Sequence, residues 1–299
     1  MAMTALAVGA CQSDSDAAAV DPIWFDAATT DEQNWELMRR IRAVDPCALV
    51  PRSALEEHGT VREVRSGTAM IAGCRATLEG ESAPLELTWT LARTPGGSAI
   101  DEHRRVGDVT VEILGPDGKG SSNEVNACWV TAQFPSMTQI LLSVKGPPAV
   151  DTCAIGDALI DTPIARLPAS PPYGTSPDSA RSVLTGADPC EILPEIGATP
   201  TLPVAENQVV QLCRAGSGQG LTIGYEYQVE KDVLQDEIIT LGDRQVYMAH
   251  FGDNEQIAYT FVVGPPVAGN AVPTVTVLGS DRSSVERARD ALLEKYPAP

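Results

Sequence analysis

The sequence predicts an α+β protein made of two tandem disulfide-stapled modules, each a small antiparallel sheet packed by an N-terminal and a closing helix. Three observations lead there. Six of the seven cysteines fall into pairs of similar spacing, Cys47 with Cys74, Cys128 with Cys153 and Cys190 with Cys213. Two of the pairs open on one tripeptide, Asp45-Pro46-Cys47 and Asp188-Pro189-Cys190. Beyond the second cysteine of each of those pairs come short runs of period-two alternation, the signature of half-buried strands.

The first unit, residues 29–168, opens on a helix signal: Thr30 as N-cap with Gln33 three positions on, then Trp35, Met38 and Ile41 at helical spacing. Ser176-Pro177 is the matching start in the second unit, residues 176–299, with Ala180, Val183 and Leu184 as a short apolar face. Proline after Asp45 or Asp188 restricts that residue to extended geometry, so each helix must stop before it. Strands follow in parallel order. Leu85 to Leu91 matches Leu221 to Tyr227. Val106-Gly107-Asp108 turns into Val109 to Leu114, as Leu241-Gly242-Asp243 turns into Gln245 to Ala249. Cys128 to Ala132 matches Ala258 to Val262, and Gln139 to Val144 matches Thr274 to Leu278.

Each unit closes on a helix. The last carries Ser283 and Glu286 as a capping box and Val285, Ala288, Leu292 and Tyr296 along one face; its counterpart starts near Asp151 and ends near Leu167-Pro168. The segment 169–175, with Pro171-Pro172-Tyr173-Gly174, has the composition of a linker. In this register Cys128 stands opposite Ala258 and Cys153 opposite Glu286, so the second unit lacks both together, as a bonded pair should. Cys47–Cys74, Cys128–Cys153 and Cys190–Cys213 are therefore the expected disulfides, although six cysteines permit fifteen connectivities.

Zinc would need close ligand pairs, whereas these cysteines lie 23 to 27 positions apart and His58, His103 and His250 are scattered. Regular disulfides place the chain in an oxidising compartment. Cys11 stands apart, after Leu6-Ala7-Val8-Gly9-Ala10, and these residues resemble the lipobox of bacterial lipoproteins. Residues 1–11 are read as a partial signal peptide whose basic n-region lies upstream, with Cys11 as the lipidated residue, and 12–28 as a tether. A formal charge of -19 opposes binding to nucleic acid phosphates and anionic lipid surfaces.

The arrangement of Asp-Pro-Cys after a short helix, a second cysteine some 25 residues on, a small antiparallel sheet and a closing helix resembles actinobacterial envelope lipoproteins with a domain of unknown function opening on that motif. More distantly it is similar to the extracellular sensor domains of mycobacterial receptor kinases. The resemblance covers most of Asp31 to Pro297, twice. It implies an α+β module displayed outside the membrane, with a cleft for a ligand, and it carries no catalytic residues to transfer.

Signatures of catalysis are missing from the sequence. There is no G-x-S-x-G elbow. Gly216-Ser217-Gly218-Gln219-Gly220 precedes a strand, the reverse of a phosphate cradle, and Gly115 to Gly120 lacks P-loop spacing. Asp253, Asn254 and Glu255 do not alternate as calcium ligands do. Positive charge gathers only at Arg39-Arg40 with Arg42 and at His103-Arg104-Arg105, and the second group is the candidate receptor for an anionic partner in the more rigid first unit. The expected function is a non-enzymatic extracytoplasmic lipoprotein at the outer face of the plasma membrane. It would bind an envelope component or a membrane protein complex and need no cofactor or metal. An envelope hydrolase without a sequence signature and a lipid carrier are the alternatives.

Overall fold

The computed structural model describes residues 21–68, 70–80, 83–93, 103–115, 126–201, 210–216, 220–233, 237–251, 256–267 and 270–297. Cys11 with its lipobox and residues 12–20 of the tether lie outside the described residues, as do Asp253, Asn254, Glu255 and most of both glycine-rich segments. The first unit runs α1 (Asp31–Ala43), α2 (Pro46–Leu49), α3 (Arg52–Glu56), β1 (Val61–Thr68), β2 (Met70–Leu78), β3 (Leu85–Arg93), β4 (Arg104–Val106), β5 (Val109–Leu114), β6 (Asn126–Gln133), β7 (Thr138–Gly146), α4 (Thr152–Leu159) and α5 (Asp161–Arg166). The second runs β8 (Leu212–Ala215), β9 (Leu221–Val229), α6 (Glu230–Val233), β10 (Glu237–Leu241), β11 (Arg244–Phe251), β12 (Gln256–Val262), β13 (Ala271–Gly279) and α7 (Arg282–Lys295).

Two antiparallel sheets result, one of seven strands in the order β1-β2-β3-β7-β6-β5-β4 and one of six in the order β10-β11-β12-β13-β9-β8. Reversed, the second order repeats the first without a counterpart of β1. The register agrees residue by residue. Cys74, Trp89, Leu142, Val130 and Ile113 form one cross-strand row. Cys213, Ile223, Val277, Tyr259 and Met248 form the equivalent row, so the two stapling cysteines hold the same place. Both two-residue hairpins put glycine first in the turn, Gly107 at φ +59 and Gly242 at φ +64, the conformation that matches strand twist.

One face of each sheet meets helices. α4 packs on β6 and β7, α2 on β2 and β3, and α7 on β12 and β13. Trp89 and Phe134 fill the first core, and Tyr225 and Phe261 the second, each at most 1 % exposed. A lipid chain would have to displace these side chains. The three disulfides join the expected partners.

Several expectations need correction. Residues 21–28 are not tether: Pro22–Trp24 form a 3-10 helix, Trp24 is buried in the first core and the Asp21 amide donates to the Pro168 carbonyl at 2.9 Å. Leu221 holds the rung of Leu87 rather than Leu85, since Ile223 is equivalent to Trp89. Residues 176–187 form turns, not an opening helix. The Ser176 hydroxyl accepts the Asp178 amide, the Ser182 hydroxyl accepts the Leu184 amide and the Thr185 hydroxyl accepts the Ser182 amide, all in competition with helical bonding. Cys128 stands opposite Ile257 rather than Ala258, because Thr131 and Thr260 hold equivalent rungs; a one-residue slip would turn it to the wrong face. Cys153, second residue of α4, corresponds by helix start to Ser283 rather than Glu286. The cap of α7 is Asp281, whose carboxylate accepts the Ser283 amide at 3.3 Å and so displaces Ser283 into the helix. The opening box of α1 forms as expected, with Thr30 and Gln33 bonding reciprocally.

Candidate functional site

The repeated tripeptide is a helix start as much as a helix stop. In α2, Pro46 takes the first helical position, where its missing N–H costs nothing, and Asp45 caps it, accepting the amides of Cys47 at 3.1 Å and Ala48 at 3.3 Å. That cap aims Cys47 at Cys74 on β2. Asp188 likewise accepts the Cys190 amide at 3.0 Å. Trp89 adds a further pin in the first unit, donating to the Pro46 carbonyl at 2.6 Å.

Each motif also holds the other unit. Asp45 is fully buried, and its carboxylate accepts the amides of Gly174 and Ser176, both at 3.0 Å, together with the Ser179 hydroxyl. Asp188 reaches back to Arg42 of α1, whose guanidinium is buried; Nη2 lies 3.1 Å from the carboxylate without hydrogen-bond geometry, while Nη1 donates to the Val210 carbonyl at 2.9 Å. Burial lowers the Arg42 pKa, and the Asp188 charge opposes that shift. Arg52 clamps Asp178 at 3.0 and 2.6 Å, and Tyr173 donates to the Ile71 carbonyl at 2.9 Å. The cores interlock as well: Ile71 of β2 belongs to the second core, Val210 to the first, and Trp35 of α1 packs on both.

The basic cluster expected to receive an anion is placed on an edge strand. Arg104 donates to Asp157 at 2.6 Å, to the Asp157 carbonyl at 2.9 Å and to Asp161 at 2.7 Å, which ties β4 to α4 and α5. Burial alone would lower its pKa, but the hydrogen bonds it donates to the two carboxylates prevail and raise it. Arg105 is exposed, and exposed His103 joins β5 only through its backbone, donating to the Val111 carbonyl at 2.8 Å. Arg39 and Arg40 pair with Glu36. Arg104 thus uses its donors inside the molecule, and Arg105, next to it on the strand, turns to the opposite face.

Two open grooves mark the described surface. One, of about 440 Å³, runs between residues 21–28 and α1, with Ile23 and Leu37 in its lining and Asp21, Asp26, Glu32 and Glu36 around it. The other, of about 390 Å³, lies at the start of α7 beside Gly216, Leu221 and Asp281. In the second the Ser284 hydroxyl donates to the Asp281 carboxylate as part of the α7 cap, no histidine lines either groove, and among the described residues no three His, Cys, Asp or Glu side chains converge as metal ligands.

More distinctive is the helix-free face of the first sheet. Trp129 is 45 % exposed and Leu114, directly across from it on β5, is 47 % exposed. Their row continues through Ser143, Thr88 and Arg75. Alternation carries this signal in the sequence, since a strand that turns Cys128 inward must turn Trp129 outward.

No family model matches the sequence, and no curated protein does. Among solved structures, a DynU16 protein from the dynemicin biosynthetic locus aligns over 87 % of this chain and 91 % of its own, at 10 % identity and a TM-score of 0.16. The di-domain aromatase/cyclase (ARO/CYC) StfQ of the steffimycin pathway aligns over 85 % and 90 %, at 9 % identity and a TM-score of 0.15. Overlap this small carries neither a fold nor an activity across.

Proposed function

We propose that this chain is a non-enzymatic lipoprotein, anchored through Cys11 at the outer face of the plasma membrane, where it binds an envelope component or serves as accessory subunit of a membrane complex. Three formed disulfides support an oxidising compartment. No helix among the described residues is long and apolar enough to cross a membrane, so lipid would supply the anchor. Duplication of one ancestral module accounts for the shared strand order and cysteine rung.

The observation that carries the binding reading is the exposed Leu114–Trp129 pair. Phe251, at the end of β11, is exposed as well, but Trp129 stands directly opposite exposed Leu114 on an open sheet face, where a partner could bury both side chains together. The test is capture from native membranes with the full-length lipoprotein. Wild type should retain a partner that Trp129→Ala loses by about tenfold or more in affinity, with folding unchanged, and Cys11→Ala should abolish detergent partitioning. Equal capture by wild type and Trp129→Ala removes the basis of this reading.

A further inference from the structure

Sheet edges expose unpaired backbone groups, and proteins commonly blunt the ones they do not use. Three of the four edges here are blunted. Along β1, the Ser66 amide donates to the Asp178 carbonyl at 3.3 Å and the Ser66 hydroxyl accepts the Ala180 amide at 2.6 Å. Along β8, the Thr201 amide donates to the Arg214 carbonyl at 2.8 Å. β4 has three residues, two of them arginines, and Arg104 fastens it to Asp157 and Asp161.

The fourth edge, β10, is open. It pairs only with β11, and among the described residues no other segment bonds to it. Leu241 and Arg244 flank a two-residue turn, which makes them a hydrogen-bonded pair; alternation then assigns Ile239 and Glu237 to the same class. The amides and carbonyls of Ile238 and Thr240 therefore point outward, away from β11. Ile239 and Leu241 pack on the second core, which fixes the strand, while Ile238 is 50 % exposed on the opposite face, across from Tyr247, which packs with Val233 of α6. β10 is thus a rigid β-branched template with free backbone groups, at the topological position that the first module closes with arginine.

We propose that β10 is a docking edge for an extended segment of another protein, which adds to the sheet as a seventh strand and carries Lys or Arg at its ends. Charge selects this occupant. Glu237 begins the strand and exposed Asp243 lies in the turn at its far end; the neighbouring Arg244 is buried and donates to the carbonyls of Tyr296 and Val262. A formal charge of -19 on each chain opposes pairing with a second copy. The incoming strand would bond to Ile238 and Thr240 through its backbone and lay alternate side chains beside Ile238. This deepens the binding reading but stands on the edge alone.

The test titrates the full chain with a dye-labelled peptide of alternating Thr and Val between lysine ends, read by fluorescence anisotropy. Saturable binding that weakens with added salt is expected. The same peptide with glutamate ends, or with N-methylated backbone, should bind at least about tenfold more weakly. Thr240→Pro removes an outward amide that β11 does not use, and should weaken binding by about the same factor while circular dichroism stays unchanged. Ile238→Lys, which leaves the backbone intact, should also weaken it. Trp129→Ala should leave it unaltered, so this proposal and the membrane-capture reading can fail separately. Absence of peptide binding, or equal binding by wild type, Thr240→Pro and Ile238→Lys, overturns the proposal. So does concentration-dependent dimerisation abolished by Thr240→Pro without peptide binding, which assigns the edge to a second copy.

Discussion

The rung Cys74-Trp89-Leu142-Val130-Ile113 and the rung Cys213-Ile223-Val277-Tyr259-Met248 are equivalent, yet the sheets around them are finished differently. The first module has its own opening helix, an extra strand β1, a second disulfide and a closed β4 edge. The second has turns where the helix would be, no match for β1, one disulfide and an open β10 edge. It meets α1 through Trp35 and Arg42 and takes Ile71 into its core. One sheet plan has therefore been used once as a frame and once as a unit leaning on that frame.

The largest expected effect lies in the two aspartates of the motif, because matched positions carry unequal loads. Asp45→Ala would strand four amides and a hydroxyl in a buried place, at a cost of about 4 kcal/mol. Asp188→Ala loses one capped amide and the partner of Arg42, but its carboxylate is 37 % exposed and water can replace part of the loss, so about 2 kcal/mol is expected. Urea unfolding with the disulfides intact measures both. Equal costs would mean that the motif serves only its own staple and not the other module.

Next comes the disulfide that only the first module has. Replacing both Cys128 and Cys153 by Ser frees a 25-residue separation and should cost about 3 kcal/mol. The first module should then exchange its β6 and α4 amides nearly as fast as the second exchanges those of β12 and α7. If protection of β6 is unchanged, packing of α4 rather than the bond sets the rigidity.

Much of this contrast was legible in the sequence and some of it was not. Alternation exposed β3, β5, β6, β7 and their partners because each turns one face to helices, and glycine at positions 107 and 242 marked the turns. Asp-Pro-Cys announced a fixed staple. β1 and β2 were missed because Arg62, Glu63, Arg65 and Arg75 interrupt their apolar pattern, and they become strands by pairing with each other. The second opening helix was overread because helical spacing at Ala180, Val183 and Leu184 ignores the serines that bond locally. The further partners of Asp45, Gly174, Ser176 and Ser179, lie 129 to 134 residues away, and no local pattern reveals them.

A smaller effect is expected at the closed edge. Arg104 is 27 % exposed, so Arg104→Ala should cost about 1 kcal/mol, and the amides of β4 should exchange as fast as those of Ile238 and Thr240 in β10. A β4 that stays protected would show that its brevity, not arginine, closes it.

The smallest effect separates the modules by pH, since all four tryptophans precede the linker and all six tyrosines lie at Tyr173 or beyond. Burial pushes the Tyr296 hydroxyl up to about 12, and burial also raises Tyr225, to which Tyr296 donates at 3.2 Å. Each native hydroxyl keeps its proton where the unfolded chain, titrating near 10, releases it. Above pH 10 the unfolded state thus binds fewer protons than the native state, and stability falls as pH rises. The contribution is whole below pH 10 and is lost through about pH 12. Tyrosinate absorbance should therefore rise in this window, reporting loosening of the second module, while tryptophan emission from the first stays native. Tyr296→Phe should move the onset upward by a fraction of a pH unit. If emission and absorbance change together, the interlocked cores unfold as one, and the second module does not loosen on its own.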